Sequence, residues 1–495
     1  MNLPVVHSMS ESFSIVNAFA RLSSMGGCVW FDSAARGPEL EPGGDHAGRY
    51  SFLSADPIDR IVASVDDENP WPKLRHWCDA LPKNRISELP PFQGGIAGLW
   101  GYEAGAWLEP IDRAAIDDLS TPAVSVGLYD WVICYDRLQL KSWLISWGFT
   151  KDDLIPNEKR ATRRIQQVLD WLKQAPDPNP LPGVPGRGDL SPETCNLKPE
   201  TCNLKPFHKT HWPDVVSNFS SVGFREAIRT IIESISDGDS FQVNLSQRLL
   251  TPARVDSSAL ALRLREANAA PFAGYYDGGS FQVISSSPEG FLRLRDGVVQ
   301  TRPIKGTVAR TGNESVDQRT AIELATSEKE RAENVMIVDL MRNDLSRVCE
   351  DDSVRVSKLC GIESYAHVQH LVSVVEGKLR SGINAIDMLA ACFPGGSVTG
   401  APKIEAMKTI ARLEPTTRGP YCGSLGYISC GGDAEFNILI RTITATAGWW
   451  QIPVGGGITL RSDPESEERE TWVKAEGMLR AISGLEAEVL GSRRK

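Results

Sequence analysis

The strand-like segments of this chain follow one another instead of alternating with helices, and that order rules out a regular doubly wound α/β fold. After position 217 the hydrophobic periodicity predicts a helix over 224–236, a strand over 241–249 and a helix over 257–269. Short strands through Tyr275, Val283 and Leu292 come next, and then a long helix over 314–343. Helices set apart from many short antiparallel strands make an α+β pattern. Residues 1–173 read the same way: GRYSFLSADP and GLYDWVICYDRLQLKSWLISW hold strand-like runs between Gly and Pro turns, with one amphipathic helix at 157–173. A length of 495 residues exceeds one small core. Composition suggests an N-terminal region at 1–173, a Pro/Gly-rich linker at 174–216 and a C-terminal region at 217–485. The heptad PETCNLK occurs in tandem within the linker, at 192–198 and 199–205. Two copies are too few for a solenoid, so the segment reads as a draped or disordered connector, with Cys195 and Cys202 products of duplication.

Bulk composition excludes several function classes. No apolar run approaches the roughly 18–20 residues of a spanning helix, so no membrane association is expected. The opening MNLPVVHSMSESFSIV lacks the basic and apolar blocks of a secretory signal, which predicts a cytoplasmic protein. Ten cysteines without a C-x-x-C pair read as reduced, mostly buried thiols. A net charge of −10 with no basic stripe argues against nucleic-acid binding. An anionic substrate would therefore need positive charge supplied locally.

Lys305, in RPIKGT, is a primary amine beside a glycine; such an amine is a nucleophile once it sheds its proton, although most lysines of this kind are solvated. Glu330 and Glu333 lie three residues apart on the predicted long helix, and Glu467 and Glu470 repeat the spacing near the C-terminus. Two such pairs can share a hard divalent cation, Mg2+ above all, although from spacing alone such pairs are more often solvated helix faces. The glycine-rich stretches 393–403 and 453–460 fail the nucleotide-loop pattern, because no Ser or Thr follows Lys403. They can present backbone N–H groups to a carboxylate or simply form tight turns. Arg441 follows an apolar run and needs a carboxylate from protein or ligand. Glu289 sits in a Pro-Glu-Gly turn where burial would raise its pKa and make it a proton donor. His370, taken singly, reads as a core histidine.

Together SSSPEGFL, RPIKGT, KERAENVMIVDLMRNDLSRV, HVQHLVS, GGSVTGAPKIEAM, RGPYCGSLGYI, FNILIRT, GGGI and SDPESEERET resemble the chorismate-utilising enzymes, in consistent order over about 224–479. GRYSFLSADP, PPFQGGIAGLWGYE and LYDWVICYDR resemble the N-terminal region of the anthranilate and aminodeoxychorismate synthases in that family. The resemblance implies two antiparallel sheets packed as a sandwich with helices outside, and chorismate as substrate. It implies that Glu333 and Glu470 bind Mg2+ directly, with Glu330 and Glu467 acting through water, and that the metal holds the ring carboxylate. Arg441, Tyr421 and the amides of Gly455, Gly456 and Gly457 would hold the enolpyruvyl carboxylate, while Ser397 and His370 line the ring pocket.

Within the family, anthranilate synthases carry alanine at the position of Lys305, whereas lysine there resembles the aminodeoxychorismate branch. In that branch the amine is thought to attack ring C2 as Glu289's counterpart protonates the departing C4 hydroxyl. Ammonia then attacks C4, giving 4-amino-4-deoxychorismate, a precursor of 4-aminobenzoate and folate. Isochorismate and salicylate synthases place a water-activating lysine where this chain has Gln242. The Leu-Leu-Glu-Ser segment of tryptophan-regulated anthranilate synthases is replaced by Trp30, Phe31, Asp32 and Ser33. No C-x-G-x-Q glutaminase motif is present, so a separate glutamine amidotransferase subunit is expected to supply ammonia. No fused lyase is expected either, so pyruvate elimination is expected of another enzyme. Anthranilate synthesis, and a non-catalytic ligand-binding subunit, are the alternatives.

Overall fold

The structure, a computed structural model, describes residues 3–33, 48–119, 121–174, 208–364 and 368–492. The tandem heptads, with Cys195 and Cys202, lie outside these residues. Two large sheets carry the fold. The first runs Val5–Ser8, Lys141–Ser146, Trp131–Asp136, Tyr50–Ser54, Val29–Asp32, Phe272–Asp277, Phe281–Ser287, Thr442–Thr446, Trp449–Ile458, Gln242–Pro252, Val216–Ser217 and His208–Lys209. The second runs Ile304–Ala309, Val368–Lys378, Val298–Thr301, Gly290–Arg295, Ala434–Asn437, Ser424–Ser429, Gly95–Trp100, Val124–Tyr129 and Asp59–Ala63, with Arg355–Ser364 also paired to Val368–Lys378. The pairings within both sheets are antiparallel.

The sheets pack face to face. Phe52, Val132, Tyr276 and Val283 of the first sheet share a buried cluster with Ala97, Leu99, Leu425 and Tyr427 of the second. Helices Ile15–Leu22, Glu158–Lys173, Ser257–Ala267 and Pro464–Ser492 belong to a cluster on the first sheet, and Trp71–Ala80, Glu328–Ser346 and Ala385–Cys392 to one on the second. Strands covered on both faces are apolar nearly throughout, as in Trp131–Asp136, where five of the six residues are buried. This is the predicted sandwich with helices outside. Both sheets draw strands from either side of the linker, since Val29–Asp32 pairs with Phe272–Asp277 and Gly95–Trp100 with Ser424–Ser429.

Local signals explain most element limits. Glu158–Lys173 starts where the Asn157 side chain accepts from the Arg160 N–H, and buries Ala161, Ile165, Val168 and Leu172 at helical spacing. One expectation needs correction: the long helix predicted over 314–343 is two helices, Glu314–Thr326 and Glu328–Ser346. Ser327 leaves the helical region at φ −61° and ψ 112°, ends the first helix, and accepts from the Glu330 N–H at 3.4 Å. A serine hydroxyl that competes for backbone N–H groups ends a helix that periodicity alone continues. The break places Glu330 and Glu333 at the start of a helix, where the N-terminal dipole favours negative charge. Among the described residues no helix is long and apolar enough to cross a membrane, and the eight described cysteines are buried.

Candidate active site

The site gathers where the strand Ile304–Ala309 meets the helix Glu328–Ser346. Lys305 pairs with Leu371 and Thr307 with His370, and the register slips between them at Gly306. Gly306 has φ +74°, and a methyl group there would come within 2.6 Å of Leu324 and 2.9 Å of a Glu330 carboxylate oxygen. Only glycine tolerates that bulge, which re-aims the strand as bulges beside reactive groups do. The Lys305 ammonium stands 3.8 Å from the Glu333 carboxylate, both side chains mostly buried.

Glu289 approaches Lys305 from the turn between Phe281–Ser287 and Gly290–Arg295. The Ser287 hydroxyl accepts from its N–H at 3.2 Å, and its carbonyl accepts from the Ile438 N–H at 3.0 Å, so the backbone is clamped on both sides. Burial pushes its carboxyl up to about 7, against a hydrogen bond from Ser397 and the positive charge of Lys305. Ser397 comes from the turn Gly396–Val398. His370 lies beside Thr307, with Nδ1 2.9 Å from the hydroxyl. Burial holds it down at about 4, helped by Arg441 and opposed by Glu363, so its imidazole is neutral at pH 7.

Arg441 enters from the far side with left-handed backbone at φ 51°. Among the described residues its guanidinium has no ion-pair partner; burial lowers its pKa against the opposing influence of Tyr421 and Glu470. A non-glycine residue in that conformation marks a backbone held by its surroundings, here by the Ser286 N–H donating to the Arg441 carbonyl at 3.1 Å. Tyr421 is buried, with its hydroxyl pushed up by desolvation.

The C-terminal helix Pro464–Ser492 brings the second acidic pair. Ser462 donates to Glu467 at 2.6 Å, and Lys474 reaches both Glu470 at 2.7 Å and the Gly455 carbonyl at 2.8 Å. The open side of Gly456 faces Glu467, Lys474 and Glu470. A methyl group at Gly455 would sit 2.4 Å from the Leu245 carbonyl, and one at Gly457 would sit 2.8 Å from the Gln242 carboxamide. Gln242 is buried, and neither polar atom of its side chain has a partner among the described residues.

The two acidic pairs feel each other. Burial raises Glu333, with Glu330 and Glu470 adding to the rise. Burial likewise raises Glu467, with Glu470 adding. For Glu470 burial pushes upward, but Lys474, Lys329 and Lys305 outweigh it and the net shift is down. Mutual repulsion among oxygen donors from two helices suits a hard divalent cation chemically. The geometry is not closed, because among the described residues no three His, Cys, Asp or Glu side chains stand together at metal-holding distance. Lys305 and Lys474 balance the charge of Glu333 and Glu470.

A model of chorismate binding enzymes matches residues 28–480. The chain belongs to that family. Among its chorismate-binding relatives, aminodeoxychorismate synthase component 1 of Bacillus subtilis (strain 168) is 36% identical over 454 residues, covering 89% of this chain and 91% of the relative. Anthranilate synthase component 1 of Thermus thermophilus is 38% identical over 406 residues, covering 82% and 81%. The crystal structure of anthranilate synthase component I from Streptococcus pneumoniae TIGR4 superposes with a TM-score of 0.72 at 30% identity, over 88% of this chain and 93% of the other. Identity alone does not separate the two kinds of relative within the chorismate binding family.

Three neighbours of the site escaped sequence reasoning. Lys474 follows Glu470 by four residues on a helix, a spacing that pairs opposite charges. Thr307 lies two residues beyond Lys305, and only the strand register shows that it meets His370. Lys329, beside Glu330 in sequence, acts on Glu333, Glu467 and Glu470 at once. In the N-terminal stretch, Asp32 is buried and taken up by Arg265 at 2.7 Å and Arg137 at 3.4 Å.

Proposed function

We propose that this chain is an aminodeoxychorismate synthase component I, a transferase that converts chorismate and ammonia to 4-amino-4-deoxychorismate for 4-aminobenzoate and folate synthesis. The carrying observation is the Lys305 amine, mostly buried, lying 3.8 Å from Glu333 and within the electrostatic reach of Glu289. A family member with alanine there has no such nucleophile.

In this reading Arg441, Tyr421 and the Gly455, Gly456 and Gly457 backbone hold the enolpyruvyl carboxylate, and His370 and Ser397 line the ring pocket. That Arg441 has no ion-pair partner among the described residues supports the first assignment, since a dianion would supply one. Glu333 and Glu470, with Glu330 and Glu467 through water, would hold Mg2+, which when bound supplies positive charge to the ring carboxylate. The Lys305 amine forms a bond to ring C2 while the C4–O bond breaks, the electron pair shifting across the ring double bond. Protonated Glu289 gives its proton to the departing oxygen, which leaves as water. Ammonia then bonds to C4, the double bond shifts back, and the C2–N bond to Lys305 breaks.

A separate glutaminase subunit would deliver the ammonia. "Component 1" in the relatives' names fits a two-component enzyme. We place the reaction in the cytoplasm, in keeping with the burial of the eight described cysteines.

The test is to incubate the chain with chorismate, Mg2+ and ammonium salt and identify the product by chromatography and mass spectrometry. Aminodeoxychorismate, converted to 4-aminobenzoate by an added lyase, is the expected result. Anthranilate would favour the second reading, which the 38% identity to the Thermus thermophilus relative keeps in view. Chorismate left untouched would favour a non-catalytic binding subunit.

A further inference from the structure

Arg418 is outside every motif role assigned above, yet it joins the two walls of the site. It is 4% exposed, and its partner Glu414 is 3% exposed. Nε and Nη2 fork onto the Glu414 carboxylate at 2.9 and 2.7 Å. Nη1 donates to the Val398 carbonyl at 2.9 Å, and Nη2 also donates to the Asn244 carbonyl at 2.8 Å. Glu414 in turn accepts from the Ser246 N–H and hydroxyl at 2.8 and 2.9 Å. The guanidinium lies over the Tyr102 ring at 4.7 Å and near that of Tyr421 at 6.0 Å.

These partners come from opposite sides of the site. Val398 follows Ser397, whose hydroxyl meets Glu289. Asn244 and Ser246 are the strand partners of Gly457 and Gly455. A second tie runs in parallel, the Asn244 N–H donating to the Thr399 carbonyl at 2.8 Å. We propose that Arg418, oriented by Glu414, is a positioning residue that sets the distance between the Ser397 turn and the Gly455 to Gly457 backbone. A substrate held by its ring at one end and by a carboxylate at the other needs both at the correct separation. The inference rests on the chorismate reading above.

A guanidinium suits the task because one rigid fork serves a carboxylate while its remaining N–H groups reach two carbonyls, which a lysine ammonium on a flexible stem does not reproduce. Arg418→Lys keeps the charge and should lower kcat for chorismate consumption about 100-fold, the scale of a small misplacement of reacting groups. Its melting temperature should stay within about 3 °C of wild type. Should that variant not fold, the double variant Arg418→Met with Glu414→Leu leaves no lone buried charge and should fold with the same loss of kcat. Combining Arg418→Lys with Ser397→Ala separates positioning from general structural support. If Arg418 acts through the Ser397 turn, the double loss is smaller than the product of the single losses. Fully multiplicative losses, or wild-type kcat in either folded variant, overturn the proposal. Consumption is scored whatever the product, so anthranilate formation does not confuse the result. A wild type that leaves chorismate untouched, seen before any variant is made, fails the proposed function itself and takes this inference with it.

Discussion

At the scale of single residues, the proposed chemistry turns on two groups, an acid and a nucleophile. Glu289 must be protonated to act as an acid, and burial holds its carboxyl near 7. With Glu289 as the essential acid, turnover should fall about tenfold per pH unit above pH 7, an alkaline limb that Glu289→Gln abolishes together with about 100-fold or more of the rate. A pH profile of kcat without an alkaline limb removes Glu289 from this role. The same group links stability to pH. A carboxyl raised from its ordinary 4.5 to about 7 in the folded state contributes stability that is complete below 4.5 and lost as the pH rises through 7. Glu289→Gln should therefore be more stable than wild type at pH 8, by on the order of 3 kcal/mol, with no such gain at pH 4.5. Denaturant titrations at the two values check this. For Lys305, Lys305→Ala should end aminodeoxychorismate formation, and a shift toward anthranilate would mark the lysine as the product selector. Unchanged aminodeoxychorismate output from that variant sinks the covalent route. Both residues were legible in sequence by type and motif. Their proximity was not, since a turn and a strand separated by sixteen positions meet only through sheet register.

Among elements, two junctions matter most. Gly306 lets the strand bulge beside Lys305, and Ser327 splits the predicted long helix so that its second half opens with Glu330. Gly306→Ala forces a methyl group against Leu324 and the Glu330 carboxylate in a left-handed backbone that alanine disfavours. A loss of roughly 1–3 kcal/mol in stability is expected, with a larger fractional loss of activity because Lys305 and Glu330 shift together. Stability and activity equal to wild type would show that the bulge places neither. Helix Glu158–Lys173 was readable because its cap and its apolar spacing agree. The Ser327 break was not, because periodicity on both sides continued in phase while one hydroxyl decided the local geometry.

For the molecule as a whole, the sheets cross the sequence. Val29–Asp32 and Gly95–Trp100 pair with Phe272–Asp277 and Ser424–Ser429, strands from the C-terminal half of the chain. A fragment beginning at 208 would expose the paired edges of Phe272–Asp277 and Ser424–Ser429, so it should aggregate or unfold without cooperativity. A sharp, reversible melt of that fragment would refute the expectation. The proposed metal dependence also belongs at this scale, because the acidic pairs lie on helices far apart in sequence. Glu333→Gln or Glu470→Gln, or chelation of the metal, should abolish turnover while the fold persists by circular dichroism; activity retained in chelator argues against Mg2+. Local patterning already specified the α+β class, the antiparallel strands and the residue types of the site, because hydrophobic period and motif spacing are properties of neighbouring residues. Only the folded chain decided that Lys474 reaches the Gly455 carbonyl, that Thr307 meets His370 and that Arg418 ties Val398 to Asn244. Those choices depend on which faces are buried and how strands align, and burial and alignment arise from contacts between segments that no local stretch of sequence contains.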